Sequence, residues 1–269
     1  CSLAFGSPRS TKIATRVKVR TPAIRAKWTS WIEPMGCAPA ARGSGVAMPA
    51  LYHRRRGLSG DARIWYALGM NSNEPAGGRP ARLLAFAGST RSGSLNKRLA
   101  RCAAEGARAA GADVTLLDLR EFPMPLYDGD LEAADGIPEP AQRFKRALIE
   151  HDGLLIACPE YNSSITGVLK NAIDWASRAA PGEPALACFA GKTAGLMAAS
   201  PGALGGLRGL VHVRAILSNL KVLVVPEQIA ISRAHEAFDG EGRLKDEKQA
   251  AAVAAIAARV AEVARRLRS

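Results

Sequence analysis

The sequence predicts a doubly wound α/β domain over residues 81–269, a three-layer sandwich around a five-stranded parallel sheet. Three observations carry that expectation. Short apolar runs recur from residue 83 onward without strict alternation, as in strands covered on both faces. Helical patterns fall between consecutive runs. Two runs end in segments rich in small, hydroxylated and amide residues, at the edge where open α/β sheets bind ligands.

The predicted strands are Leu83–Ala87, Val114–Leu117, Leu154–Cys158, Thr193–Ala199 and Val222–Val225, each bounded by turn residues. Between them, Leu95, Leu99, Cys102 and Ala103 define one helical face. Ile165, Val168, Leu169, Ala172 and Ile173 define a second, and Leu207, Leu210, Val211 and Leu217 a third. The last helix follows Asp246-Glu247 with Val253, Ile256, Val260, Val263 and Leu267 at three-and-four spacing. Its Arg265, Arg266 and Arg268 suit the negative end of the helix dipole. At this size the alternation favours a flavodoxin-like strand order.

Residues 1–80 differ in kind. They carry thirteen Lys and Arg against three acids, and so supply ten of the chain's thirteen net positive charges. They lack sustained periodicity and are broken by Pro8, Pro22, Pro34, Pro39, Pro49, Pro75 and Pro80. They read as a disordered leader or a spurious upstream extension, with Met70 as the start, rather than as a transit peptide with an amphipathic helix. The high pI therefore belongs to this segment. A nucleic-acid-binding reading drawn from net charge, Arg54-Arg55-Arg56 included, is not favoured and leaves the motifs below unexplained.

Five cysteines without a C-x-x-C pair argue against a disulfide framework or zinc site. Cys158, closing an apolar run, reads as a buried strand residue. No apolar stretch is long enough to span a bilayer. The expectation is a soluble protein of a reducing compartment, the cytoplasm, with no membrane or nucleic-acid partner. His53, His151, His212 and His235 are scattered, which suits surface or helix-end roles.

The first motif is Gly88-Ser89-Thr90-Arg91-Ser92-Gly93-Ser94-Leu95-Asn96. Small residues let backbone N–H groups converge on an anion, while Ser89, Ser94 and Asn96 add directed hydrogen bonds and Arg91 a charge-assisted one. Ser94 stands at the N-cap of the following helix. Leu95 and Asn96 replace the Lys and Ser/Thr of a Walker loop, and no G-x-G-x-x-G follows the strand. Alone, the motif is equally an ordinary strand-to-helix turn. The second motif, Pro159-Glu160-Tyr161-Asn162 running into Gly167–Trp175, offers an aromatic ring and an amide to a flat polar ring system. A phosphorylated flavin suits both.

Together, Gly-Ser-x-Arg-x-x-Ser-x-Asn and Pro-Glu-Tyr-Asn-x-Ser-x-x-Gly-x-Leu-Lys-Asn-Ala-Ile-Asp-Trp resemble the NADPH-dependent FMN reductase family over residues 82–268. Ala199-Ser200-Pro201-Gly202-Ala203-Leu204-Gly205-Gly206-Leu207-Arg208 resembles that family's loop beside the flavin. The resemblance implies that Ser89, Arg91, Ser94 and Asn96 hold the FMN phosphate. It implies further that Pro159, Glu160, Tyr161 and Asn162 line the ribityl chain and ring, and that Ser200, Pro201 and Gly202 border the isoalloxazine. Tyr161 is equally a packing aromatic, Lys170 and Asp174 a solvated i,i+4 pair, and Trp175 a core residue.

The implied activity is oxidation of NADPH or NADH by FMN, followed in ping-pong order by two-electron transfer to a quinone, free flavin or other small acceptor. No protein acid or base is required, because the cofactor carries the chemistry. The alternative is a non-enzymatic flavodoxin-type electron carrier, against which the slightly basic domain argues. The resemblance also implies a homodimer or homotetramer in which a neighbour walls the pocket. Phe122–Asp128 and the helix from Gly167 to Trp175 are candidates for that wall, and Arg208 and Glu227 for a pair across the contact, although Val211 stands where some members carry an aromatic hydroxyl.

Overall fold

A computed structural model describes residues 79–268. The start at Met70, the leader's character through residue 78, Cys1, Cys37, His53 and Arg54-Arg55-Arg56 all lie outside the described residues.

The chain alternates strand and helix: β1 (Arg82–Ala87), α1 (Leu95–Ala109), β2 (Asp113–Leu117), a 3-10 turn (Leu119–Glu121), α2 (Gly129–Asp135), α3 (Glu139–Ile149) and β3 (Gly153–Ala157). A small hairpin follows, β4 (Glu160–Tyr161) and β5 (Ser164–Ile165). Then come α4 (Gly167–Ala176), β6 (Thr193–Ala199), α5 (Leu207–Asn219), β7 (Leu223–Ile231), α6 (Ala234–Ala237) and α7 (Glu247–Arg266). The five long strands pair in parallel in the order β2-β1-β3-β6-β7, the flavodoxin-like order. Strand order reverses between β1 and β3, and that switch point opens a crevice at their carboxyl ends.

Side chains alternate across the sheet with period two. Leu83 and Ala85 of β1 join Leu99, Ala103, Val253, Ile256 and Val260 in the core beneath α1 and α7. Leu84 and Phe86 join Phe144, Leu148, Leu169, Ile173, Leu210 and Leu217 beneath α3, α4 and α5. Each fully buried Leu or Phe contributes roughly 1.5–3 kcal/mol, so both layers are held mainly by these faces.

The structure departs from the sequence reading in several places. Leu207 and Val211, expected on one helical face with Leu210 and Leu217, are exposed, while the latter two are buried. β7 runs to Ile231 instead of stopping near Val225; Pro226 is tolerated within it because β7 is an edge strand with a register shift opposite Ala194 and Leu196. Residues 129–149 form two helices that periodicity did not single out: α2 buries nothing, and α3 buries Lys145 alongside Ala141, Phe144 and Leu148. Ile165 lies in β5 rather than on the α4 face. Arg79, counted with the leader, belongs to the domain, because its guanidinium forks onto Asp152 at 3.1 and 3.2 Å.

Asp152 also accepts the Arg82 N–H at 2.7 Å and pairs with Arg268 at 3.3 Å. Partial burial opposes ionisation here, but the Arg82 amide and the two guanidinium groups outweigh it and hold the carboxyl below its usual range. No helix among the described residues is long and apolar enough to cross a membrane.

Candidate active site

Three loops meet at the carboxyl edge, after β1, β3 and β6. In the first, the Gly88 N–H donates to Ala157 at 2.9 Å, and a Cβ at Gly88 would stand 2.9 Å from the Leu169 Cβ, so the turn fits only glycine at this approach. Ser89 is 4 % exposed, and its Oγ accepts the Arg91 N–H at 3.3 Å. Ser94 takes the N-cap position of α1 in extended conformation, as expected, yet its hydroxyl makes no capping bond. It is 6 % exposed. Two hydroxyls of largely buried serines thus stand by the positive end of α1 free to donate, and the exposed Arg91 follows Ser89 by two positions.

Asn96 behaves differently from its neighbours. Its Nδ2 donates to the Ala199 carbonyl at 2.7 Å and its Oδ1 accepts the Ala199 N–H at 2.9 Å, as a strand neighbour would. The amide holds the end of β6 against α1 and keeps one Nδ2 hydrogen uncommitted among the described residues.

In the second loop, Pro159 is buried and Glu160–Ile165 form the hairpin, whose turn residues Asn162 and Ser163 have φ of 50° and 67°. Two positive φ values define the turn that matches strand twist, and Asn tolerates that region best among non-glycine residues. Tyr161 is 51 % exposed and does not pack in the core. Glu160 reaches α5 instead of the crevice: Oε1 accepts Arg208 Nε at 2.8 Å and Oε2 accepts the Gly209 N–H at 3.1 Å. Burial of the carboxylate opposes its ionisation, but these donors outweigh it and hold its pKa below the usual range.

The third loop is pinned to β7. Ser200 N–H donates to Ile231 at 3.1 Å and its carbonyl accepts Ala234 N–H at 3.0 Å, leaving Pro201 and Gly202 exposed at the rim. Gly205 and Gly206 turn the chain into α5 with φ of 64° and 93°.

Sequence reasoning missed four residues that assemble these loops. Thr166 caps α4 and bonds to Gly88. Lys97 and Asp118 pair at 2.6 Å, and Arg120 Nε donates to the Thr90 carbonyl at 2.9 Å. A Thr before Gly-Val-Leu was a readable N-cap signal; nothing local marked Arg120.

The remaining candidates divide clearly. Trp175 is core, its Nε1 donating to the Pro125 carbonyl at 2.8 Å, and Lys170–Asp174 is an exposed i,i+4 pair. Cys158 is fully buried and its thiol is pushed strongly upward by that burial; Cys188 is pushed up to about 11 for the same reason. His151 sits buried between Ala147 and Thr115, His212 pairs with Ser164, and His235 with Glu236. Among the described residues no group of His, Cys, Asp and Glu is arranged to hold a metal. Arg208 and Glu227 are engaged within the chain, with Glu160 and Arg259 respectively.

A family model described as NADPH-dependent FMN reductase matches residues 81–236. An NAD(P)H-dependent FMN reductase of Pseudomonas aeruginosa is 43 % identical over 169 residues, covering 62 % of this chain and 86 % of its own. A quinone reductase of Escherichia coli is 36 % identical over 144 residues, covering 54 % and 73 %. Among solved structures, a flavoenzyme NAD(P)H:(acceptor) oxidoreductase from Paracoccus denitrificans superposes with a TM-score of 0.59 at 27 % identity, over 69 % of this chain and 98 % of that one.

Proposed function

This chain belongs to the NADPH-dependent FMN reductase family, and we propose that it is an FMN-dependent oxidoreductase whose flavin site is formed by its three carboxyl-edge loops. The observation that carries the reading is the pair of serines, Ser89 and Ser94, largely buried residues whose hydroxyls make no donated bond among the described residues at the amino end of α1. A phosphate placed there would accept from both hydroxyls and from the helix N-terminus. Ser89, Ser94 and Arg91 would hold that phosphate. Pro159, Tyr161 and Asn162 would line the ribityl chain and ring, and Ser200, Pro201 and Gly202 would border the ring's other side. Asn96 and Glu160 serve as braces that fix the loops against β6 and α5.

Bound FMN would take hydride from NADPH or NADH and hand two electrons, in ping-pong order, to a quinone, free flavin or another small acceptor. The chain's own part is to bind, orient and exclude water. The buried core under Gly88 and Pro159 closes the crevice floor, and the exposed rim at Tyr161 and Pro201-Gly202 leaves one side open for substrates.

An enzyme suits the site better than an electron carrier does, since the relatives are reductases and the domain is slightly basic. We place it in the cytoplasm as a homodimer or homotetramer. The contact we favour differs from the two segments first considered. On α4 the exposed residues are Gly167 and Lys170, with Val168, Asn171 and Asp174 half-buried, and Phe122–Tyr127, although exposed at Pro123, Pro125, Leu126 and Tyr127, is tied to its own α4 through Asn171 and Trp175. Leu204, in the turn before α5, and Leu207 and Val211, one helical turn apart on α5, are instead exposed, and α5 is joined to Tyr161's hairpin through Glu160–Arg208.

The deciding experiment is purification followed by cofactor extraction, with NAD(P)H oxidation measured against a quinone. Yellow protein releasing FMN and sustaining turnover is expected. Colourless protein that takes up no added FMN rejects the reading, and flavin-bound protein without turnover favours the carrier.

A further inference from the structure

Arg120 lies on the loop after β2, outside the three loops of the flavin site, and no sequence motif includes it. Its backbone is set by the 3-10 turn that Asp118 caps, with Asp118 Oδ1 accepting the Arg120 N–H at 2.9 Å. Asp118 Oδ2 in turn accepts Lys97 Nζ, from α1, at 2.6 Å. The guanidinium Nε then donates to the Thr90 carbonyl at 2.9 Å. In a planar trans peptide the C=O and the following N–H point in opposite directions. Holding the Thr90 carbonyl toward Arg120 therefore turns the Arg91 N–H the other way, and that N–H donates to Ser89 Oγ at 3.3 Å. The Ser89 hydroxyl accepts from the backbone and keeps its own hydrogen to give.

We propose that Arg120 is a positioning residue for phosphate binding: through the Thr90–Arg91 peptide it orients and polarises the Ser89 hydroxyl as a donor to the FMN phosphate. The chain runs Lys97, Asp118, Arg120, Thr90–Arg91, Ser89, and each member donates to or accepts from the next. Lys97 and Asp118 fix the turn on which Arg120 stands, and the guanidinium is the cation that polarises the Thr90–Arg91 peptide and so strengthens the bond from the Arg91 N–H to Ser89. Thr90 and Arg120 are exposed, so what the guanidinium supplies beyond water is a fixed direction and a charge, delivered to a Ser89 that is itself 4 % exposed. The inference rests on the reading of these loops as an FMN site and adds to it a residue that does not touch the ligand.

Affinity for FMN and for riboflavin, which lacks the phosphate, separates this role from general support of the fold. Both constants are to be measured by fluorescence titration of full-length apoprotein for the wild type, Arg120→Ala, Ser89→Ala and the double variant. Arg120→Ala is expected to weaken FMN binding about tenfold and leave riboflavin binding within about twofold. Ser89→Ala is expected to do the same. Because Arg120 acts through Ser89, the double variant should bind FMN about as well as the weaker single variant, not about a hundredfold below the wild type. Arg120→Gln carries a neutral N–H at the position of Nε and should recover most of the loss; if Arg120→Ala fails to fold, Arg120→Gln and Ser89→Ala supply the cycle, with a smaller but still non-additive effect.

Unchanged FMN affinity in Arg120→Ala, a parallel fall in riboflavin affinity, or additive losses in the double variant would each overturn the proposal. A wild-type protein that binds neither flavin rejects the flavin site itself, a result distinct from any of these.

Discussion

The Thr166 hydroxyl donates to the Gly88 carbonyl at 2.7 Å and accepts the Leu169 N–H at 3.2 Å. One oxygen thus caps α4 and ties the first loop to the second, across 78 residues of sequence. Thr166→Val keeps the shape and removes both bonds, leaving a buried carbonyl and amide unpaired. The expected cost is about 1–3 kcal/mol, read as a lower melting temperature, with weaker FMN retention in the same variant. Thr166→Ser should retain most of both. Equal melting temperatures for the wild type and Thr166→Val would show that the link contributes nothing.

Arg91→Ala addresses the charge at the phosphate. A lost charge-assisted hydrogen bond is worth about 1.5–3 kcal/mol, so FMN affinity should fall by roughly tenfold to more than a hundredfold. Turnover at saturating FMN should change little. Equal affinity with collapsed turnover would instead put Arg91 at the reacting ring.

Gly205 is bound to its position by both conformation and space. Its φ is 64°, and a Cβ there would stand 2.7–2.8 Å from the backbone of Ala230, Ile231 and Ser232. Gly205→Ala has to push β7 away from the third loop, at an expected cost above about 2 kcal/mol. Chemical denaturation gives the value directly. A stability loss under about 0.5 kcal/mol would mean that the loop is free to move away.

The Glu160 carboxyl titrates below its usual value of 4.5. A group whose pKa is depressed on folding adds stability that is present in full above the unfolded value and is lost as pH falls through the folded value. Glu160→Gln should therefore melt below the wild type at pH 7, by roughly 2–4 °C for each kcal/mol lost, and the gap should close as pH drops below about 4.5. Melting curves of both proteins between pH 7 and pH 3.5 supply the comparison. A gap that stays constant with pH would remove the ion pair as its source.

Val211 is 59 % exposed between Leu207 and the turns that follow on α5. Val211→Glu puts a charge into the proposed self-association surface and should shift the assembly toward monomer, since an unpaired charge buried at a contact costs several kcal/mol. Light scattering at matched concentrations reads the mass, and quinone-dependent NAD(P)H oxidation reads the site. Unaltered mass would move the contact elsewhere.

The central strands β1, β3 and β6 were legible because each is a short apolar run buried on both faces, whereas the edge strands β2 and β7 are largely exposed or half-buried, and the polar residues of β7 beyond Val225 hid its length. α2 and α3 were not legible, since one buries nothing and the other buries Lys145 in its apolar stripe. At the site, what the sequence did not disclose is the set of partners: Asn96 pairs with a strand end 103 residues away, and Glu160 with Arg208 48 residues on. Arg120 carried no local signal at all, because its meaning comes from a carbonyl 30 residues earlier.

Asp152 holds Arg79 and Arg268 on one carboxylate, and Arg268 also donates to the Arg79 carbonyl at 3.0 Å. Residues 79 and 268 therefore lie side by side at the amino edge of the sheet, clasped by one carboxylate and across the sheet from the three loops of the proposed site.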